Sequence, residues 1–176
     1  MKHVQAPDTW EWDYERRRDY LREKLGRSPD SHQLECPYVR LFLAGGITGC
    51  PNWQSKVVDD LKDWEGLIIL NPRQKKYVDT PEAAEAQITW EFKAFKQASV
   101  VLFWFPADQI QPIALFEYGK ELGGYHPSRI YVGRDDSYPR AIDIDIQTRL
   151  QKPNLYVYHS LPAMLQAIRQ DHDFSK

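Results

Sequence analysis

Five apolar runs, each followed or preceded by a helical pattern, leave this chain few ways to fold. They are VRLFLAGGI (39–47), GLIILNP (66–72), SVVLFWFP (99–106), RIYVGRD (129–135) and LYVYHS (155–160). The third has almost no polar side chain to turn toward water. Runs of this kind are continuous rather than alternating, so both faces of each strand must be covered. Between them lie helical patterns. NWQSKVVDDLKDWEG (52–66) carries Trp53, Val57, Leu61 and Trp64 at helical spacing. TPEAAEAQITWEFKAFKQA (80–98) opens with a capping Thr80, then Pro81 and Glu82. PIALFEYGKELGG (112–124) starts on Pro112 and ends in glycines, and LPAMLQAIRQ (161–170) follows the last run. Strand–helix alternation with buried strands predicts an α/β fold: a doubly wound, about five-stranded parallel sheet flanked by helices, Rossmann- or flavodoxin-like.

Residues 1–37 read differently, as a polar N-terminal helical extension to an α/β domain over 38–176. WEWDYERRRDYLREKLG (10–26) places Trp12, Tyr20 and Leu21 on one stripe. Arg16–Arg18 stand among acids, so the run is expected to be a solvated helix face, with a partner-docking arm as the alternative. The whole chain has 23 Lys and Arg against 25 Asp and Glu, a formal charge of −2. No long-range field draws nucleic acid or an anionic membrane. Cys36 and Cys50 have no metal-ligand spacing, so no metal is expected. No run is long enough to span a bilayer, and the first residues lack the apolar core of a signal peptide. The expectation is a soluble cytoplasmic protein without a cofactor.

In a doubly wound sheet, ligands bind at the carboxyl ends of the strands. That rule directs attention to 44–49, 71–76, 105–111 and 133–136. The turn AGGITG (44–49) lets backbone N–H groups approach a ligand, or is simply a tight turn; it is neither GxGxxG nor a P-loop. Glu117 stands in apolar company within two helical turns of the ligand edge, where desolvation alters a carboxylate's chemistry. Glu91, in ITWEFKAF on the preceding helix, approaches the same crevice from its neighbour. Two carboxylates there can divide nucleophile and acid/base roles; otherwise both are ordinary helical glutamates. AIDIDI (141–146) alternates as an edge strand or amphipathic turn would. Lys75 and Lys76 fit a solvated loop.

The set FLAGGITG, NWQ, LNPR, QITWE, VLFWFP and LFEYGKELG, over about 39–135, resembles the nucleoside 2-deoxyribosyltransferase-like superfamily. The resemblance implies that Glu117, in Phe116–Glu117–Tyr118–Gly119, attacks the anomeric carbon of a nucleoside. The base departs and a glycosyl–enzyme ester forms. It implies that Glu91 acts as acid on the base side. Gly45, Gly46 and Thr48 would line the sugar or phosphate, and Gln111 would meet the base. Phe42, Asn52, Trp53 and Phe105 complete the implied substrate site. Gln111 stands where the family often has an aspartate, and Phe42 where many members have a tyrosine. The resemblance further implies a homodimer or larger homo-oligomer, with a neighbour's C-terminal tail (here Asp171–Lys176) completing the site. The activity implied is cleavage or transfer at an N-glycosidic bond. Hydrolysis of a nucleoside 5′-monophosphate is one alternative, with Thr48 and Arg73 as its phosphate candidates. A non-catalytic nucleotide-binding or interaction module is another.

Overall fold

The computed structural model describes residues 1–8, 22, 39–76, 78–124 and 129–172. The Trp10–Gly26 pattern therefore lies, Arg22 apart, outside the described residues. Six strands form one sheet: β1 (Lys2–Gln5), β2 (Val39–Gly45), β3 (Leu67–Asn71), β4 (Val100–Phe105), β5 (Arg129–Arg134) and β6 (Val157–Tyr158). Their spatial order is β1-β3-β2-β4-β5-β6, and every pairing is parallel. Five helices connect or follow them: α1 (Trp53–Asp60), α2 (Pro81–Gln97), α3 (Pro112–Gly123), α4 (Ala141–Gln151) and α5 (Leu161–His172).

The doubly wound, parallel reading holds, with one strand more than expected. Lys2–Gln5 pair with β3 in register Lys2↔Ile68 to Gln5↔Asn71, so the chain's first residues are not part of a helical extension. Only Val4 of that strand is buried, and a lone apolar residue carries no period. AIDIDI also departs from expectation: it opens α4. Ile144 packs inward while Ile142 and Ile146 face out, so the alternation coincides with a helical pattern.

β4 is buried along its whole length, and its side chains alternate between two cores. Val101, Phe103 and Phe105 join Phe42 and Leu70 beneath α2, α3 and α4. Val100, Leu102 and Trp104 join Leu41, Leu43 and Ile69 beneath α1 and α5. The chain leaves β2 toward β3 by way of α1 on one face, and leaves β4 toward β5 by way of α3 on the other. Their loops diverge at the carboxyl ends of β2 and β4, which is the switch point of a doubly wound sheet.

Candidate active site

Two loops meet at that switch point. The first, after β2, is held inward. Gly45 has φ +143, and a Cβ there would lie 2.1 Å from the Trp104 carbonyl oxygen, so only glycine fits. A Cβ on Gly46 would lie 2.7 Å from Cys50 Sγ and 2.9 Å from Gln111 Cγ. The room these glycines leave is thus filled by the protein's own atoms. Trp53 Nε1 donates to the Gly46 carbonyl at 2.8 Å, which seats the indole in the α1 core. Asn52 caps α1, accepting from the Ser55 N–H at 3.2 Å. Thr48 is exposed at the rim.

Arg73, just past β3, braces this loop. Its guanidinium donates to the carbonyls of Ile47 (2.9 Å), Cys50 (3.1 Å) and Pro51 (3.0 Å), and its Nε to Gln54 Oε1 (2.9 Å). The side chain considered with Thr48 for a phosphate is therefore committed to backbone carbonyls. Burial raises the Cys50 thiol's pKa, which works against a thiolate nucleophile.

The second loop, after β4, ends on Gln111, the residue before α3. Gln111 is 7% exposed, and its Nε2 donates to the carbonyls of Pro106 (3.2 Å) and Gln109. Its Oε1 is buried without a partner. Phe42 and Phe105 lie wholly in the core: Phe42 packs on Phe95 with ring centroids 4.9 Å apart, and Phe105 on Tyr118 at 5.7 Å. They reach the rim only through what packs on them.

Below the rim, Glu117 on α3 and Glu91 on α2 are each half-buried. Ala114, Tyr118 and Leu122 turn α3 onto the sheet, and Ala94 does the same for α2. Both glutamates therefore fall on helix flanks, between core and solvent. They lie near enough to interact electrostatically. Burial pushes the Glu117 carboxyl up to about 7, and the charge of Glu91 adds to the rise. Lys120 opposes it, and Glu121 adds a smaller push. Burial also raises Glu91, offset in part by a hydrogen bond from Gln87 Nε2 to its Oε1 at 2.6 Å.

Gln87 is the residue that sequence reasoning missed. Its Nε2 also donates to the Pro72 carbonyl (2.7 Å), and its Oε1 accepts from Gln74 Nε2 (2.5 Å). It ties Glu91 to the loop after β3. The signal was available: Gln87 and Glu91 open and close the segment QITWE at i,i+4 spacing.

A separate cleft of about 310 Å³ lies at the β6 edge, lined by Asp145, Arg149, Asn154, Tyr156 and His159 among others. It shares no residue with the glutamate pair. Its Asp145 accepts from Arg134 at 2.7 and 3.2 Å, and its other polar groups are exposed. Among the described residues no group of His, Cys, Asp and Glu is arranged to hold a metal, and no helix is long and apolar enough to cross a membrane.

Comparison with curated proteins brings up no significant match. The family profile described as Nucleoside 2-deoxyribosyltransferase like matches residues 38–134, more than half of the 176-residue chain. That span runs from the start of β2 to the end of β5 and takes in both loops of the switch point and both glutamates. The chain belongs to the nucleoside 2-deoxyribosyltransferase-like family.

Proposed function

We propose that this protein cleaves the N-glycosidic bond of a nucleoside or deoxynucleoside through a covalent glycosyl ester on Glu117. One observation carries the reading: two half-buried carboxylates on neighbouring helices, close enough that the charge of Glu91 raises the pKa of Glu117. In the first step a Glu117 oxygen attacks C1′. The C1′–N bond breaks, its electron pair goes to the base, and Glu91 supplies the proton the base takes up. The oxocarbenium-like charge passes between two acidic groups that stabilise it. In the second step water or an acceptor base attacks C1′, Glu117 leaves as carboxylate, and Glu91 recovers a proton from the attacking group.

The larger pKa shift falls on Glu117, which feels Glu91 as well as burial, whereas Gln87 offsets part of the burial at Glu91. The pair titrates as a unit and holds one proton near neutrality. Attack requires that proton on Glu91. The rate is therefore expected to fall as pH rises through about 7, where the pair gives up that last proton.

A nucleoside suits the site better than its monophosphate, because Arg73 is engaged with loop carbonyls. A binding module without catalysis is favoured by one observation: the amide of Gln111 points its N–H₂ at two carbonyls and has no acid proton to deliver. Incubation with a panel of nucleosides, deoxynucleosides and monophosphates, with and without a free acceptor base, separates these readings. Base released without acceptor indicates a hydrolase, and exchange only with acceptor a transferase. A glycosyl mass increment on the peptide containing Glu117 is expected in quenched reactions. Turnover that survives Glu117→Ala overturns the mechanism. Ligand-dependent thermal stabilisation with no turnover favours the binding module.

A further inference from the structure

Asp145 and Arg149 stand one turn apart on α4, the spacing of an ordinary helix-surface ion pair, yet that pair does not form. Asp145 is engaged from the other side. Its two oxygens accept from Arg134, from Nε at 3.2 Å and from Nη2 at 2.7 Å. Arg134 ends β5 and is 7% exposed, and its Nη1 donates to Asp136 at 2.5 Å. One buried guanidinium thus covers two carboxylates. Arg149 is exposed and, among the described residues, has neither a hydrogen-bond nor an ion-pair partner. Asp136 Oδ1 also lies 2.6 Å from Nδ1 of His159, just past β6. A carboxylate at Nδ1 fixes that nitrogen as the protonated one and leaves Nε2 free to meet a ligand.

Arg149 and His159 line the same cleft at the β6 edge, with Asn154 between them in sequence and Pro153, Leu155 and Val157 as apolar wall. Two groups that bind anions therefore border one hollow, and the nearby acids, Asp136 and Asp145, already have their cation. We infer that this cleft binds a small phosphomonoester, its phosphoryl oxygens held between the Arg149 guanidinium and His159 Nε2. A guanidinium fork meets two oxygens of a phosphate side by side, and the imidazole takes a third. In the complex the imidazole carries both protons, Nδ1–H on Asp136 and Nε2–H on the phosphate. The volume of about 310 Å³ exceeds what a bare phosphate fills and falls at the small end of ligand sites. The carrier of the phosphate is therefore of sugar size, with its carbon skeleton against Pro153, Leu155 and Val157. No residue is shared with the glutamate pair, so the inference stands independently of the glycosidic reading.

Isothermal titration calorimetry on the full chain tests it, with ribose 5-phosphate, inorganic phosphate, ribose and a nucleoside 5′-monophosphate as probes. Circular dichroism and melting curves show that each variant folds. Ribose 5-phosphate is expected to bind with a Kd of ~100 µM, inorganic phosphate about tenfold more weakly, and ribose not at all. Arg149→Gln and His159→Gln are each expected to raise the Kd about tenfold or more, the loss of one charge-assisted hydrogen bond to an anion. Asp136→Asn, which leaves the imidazole without its anchoring charge, is expected to raise it about threefold. Glu117→Gln is expected to leave it unchanged. A nucleoside monophosphate that binds as tightly as ribose 5-phosphate, and loses affinity in Arg149→Gln, supports the site with the base lying outside the cleft. Absence of saturation by every phosphate probe at ~10 mM overturns the proposal, as does a Kd indifferent to Arg149→Gln. Inorganic phosphate binding as tightly as ribose 5-phosphate overturns the sugar-sized carrier. Binding lost in Glu117→Gln and kept in Arg149→Gln puts the ligand at the glutamates and overturns the cleft.

Discussion

Glu117 is where pH acts most directly. Its folded pKa of about 7 lies above its ordinary value of 4.5, so the folded chain holds this proton more tightly than the unfolded chain. Stability from this group is complete below the unfolded value and falls as pH rises from 4.5 to about 7. Glu117→Gln removes that loss. At pH 8 the variant is expected to be more stable by on the order of 1–2 kcal/mol, since the carboxylate keeps some access to water, and at pH 4 no difference is expected. Urea denaturation at the two pH values measures this. Removing the neighbouring charge with Glu91→Gln is expected to lower the Glu117 pKa, a shift that carboxyl-carbon NMR reads directly. The same variant is expected to slow base release by ~10²–10⁴-fold, the usual contribution of a positioned acid. Gln87→Leu has a different signature: it raises the Glu91 pKa by removing a hydrogen bond to the charged form.

At the scale of elements, the β2–α1 loop is built from unlike parts, a strained glycine and a clamping arginine. Gly45→Ala drives a Cβ into the Trp104 carbonyl at a φ that L-residues avoid, and is expected to cost about 2–5 kcal/mol. Arg73→Met leaves the carbonyls of Ile47, Cys50 and Pro51 without their shared donor and is expected to cost about 1–3 kcal/mol, seen in a lowered melting temperature. Sequence patterns made some of this architecture legible and not the rest. The apolar runs of β2 to β5 could only be buried strands, and Pro112 with Thr80 marked the starts of α3 and α2. Alternation misled at Ile142–Ile146, where the helix puts Ile144 inward and Asp145 against Arg134. Arg73 was legible as a cation, but its partners are carbonyls, which no residue type announces. Glu117 stood out because a carboxylate amid apolar neighbours is rare; that it meets Glu91 depends on two helices lying on one side of the sheet.

For the molecule as a whole, the edge formed by β1 is an added strand on a flavodoxin-like order. It buries Val4 and Ala6 and connects by side chain to the rim, through Gln5 Nε2 to the Arg73 carbonyl at 2.6 Å and Trp90 Nε1 to the Asp8 carbonyl at 2.9 Å. Deleting residues 1–8 is expected to lower the melting temperature by several degrees and to promote aggregation through the bared edge of β3, which light scattering would record. The register Lys2↔Ile68 has a temporal meaning as well. β3 inserts between β1 and β2, so Lys2–Gln5 find no place in the sheet until β3 has been made. Until then Val4 has no core to enter, and β1 joins the fold only after the chain between it and Leu67–Asn71 has been made.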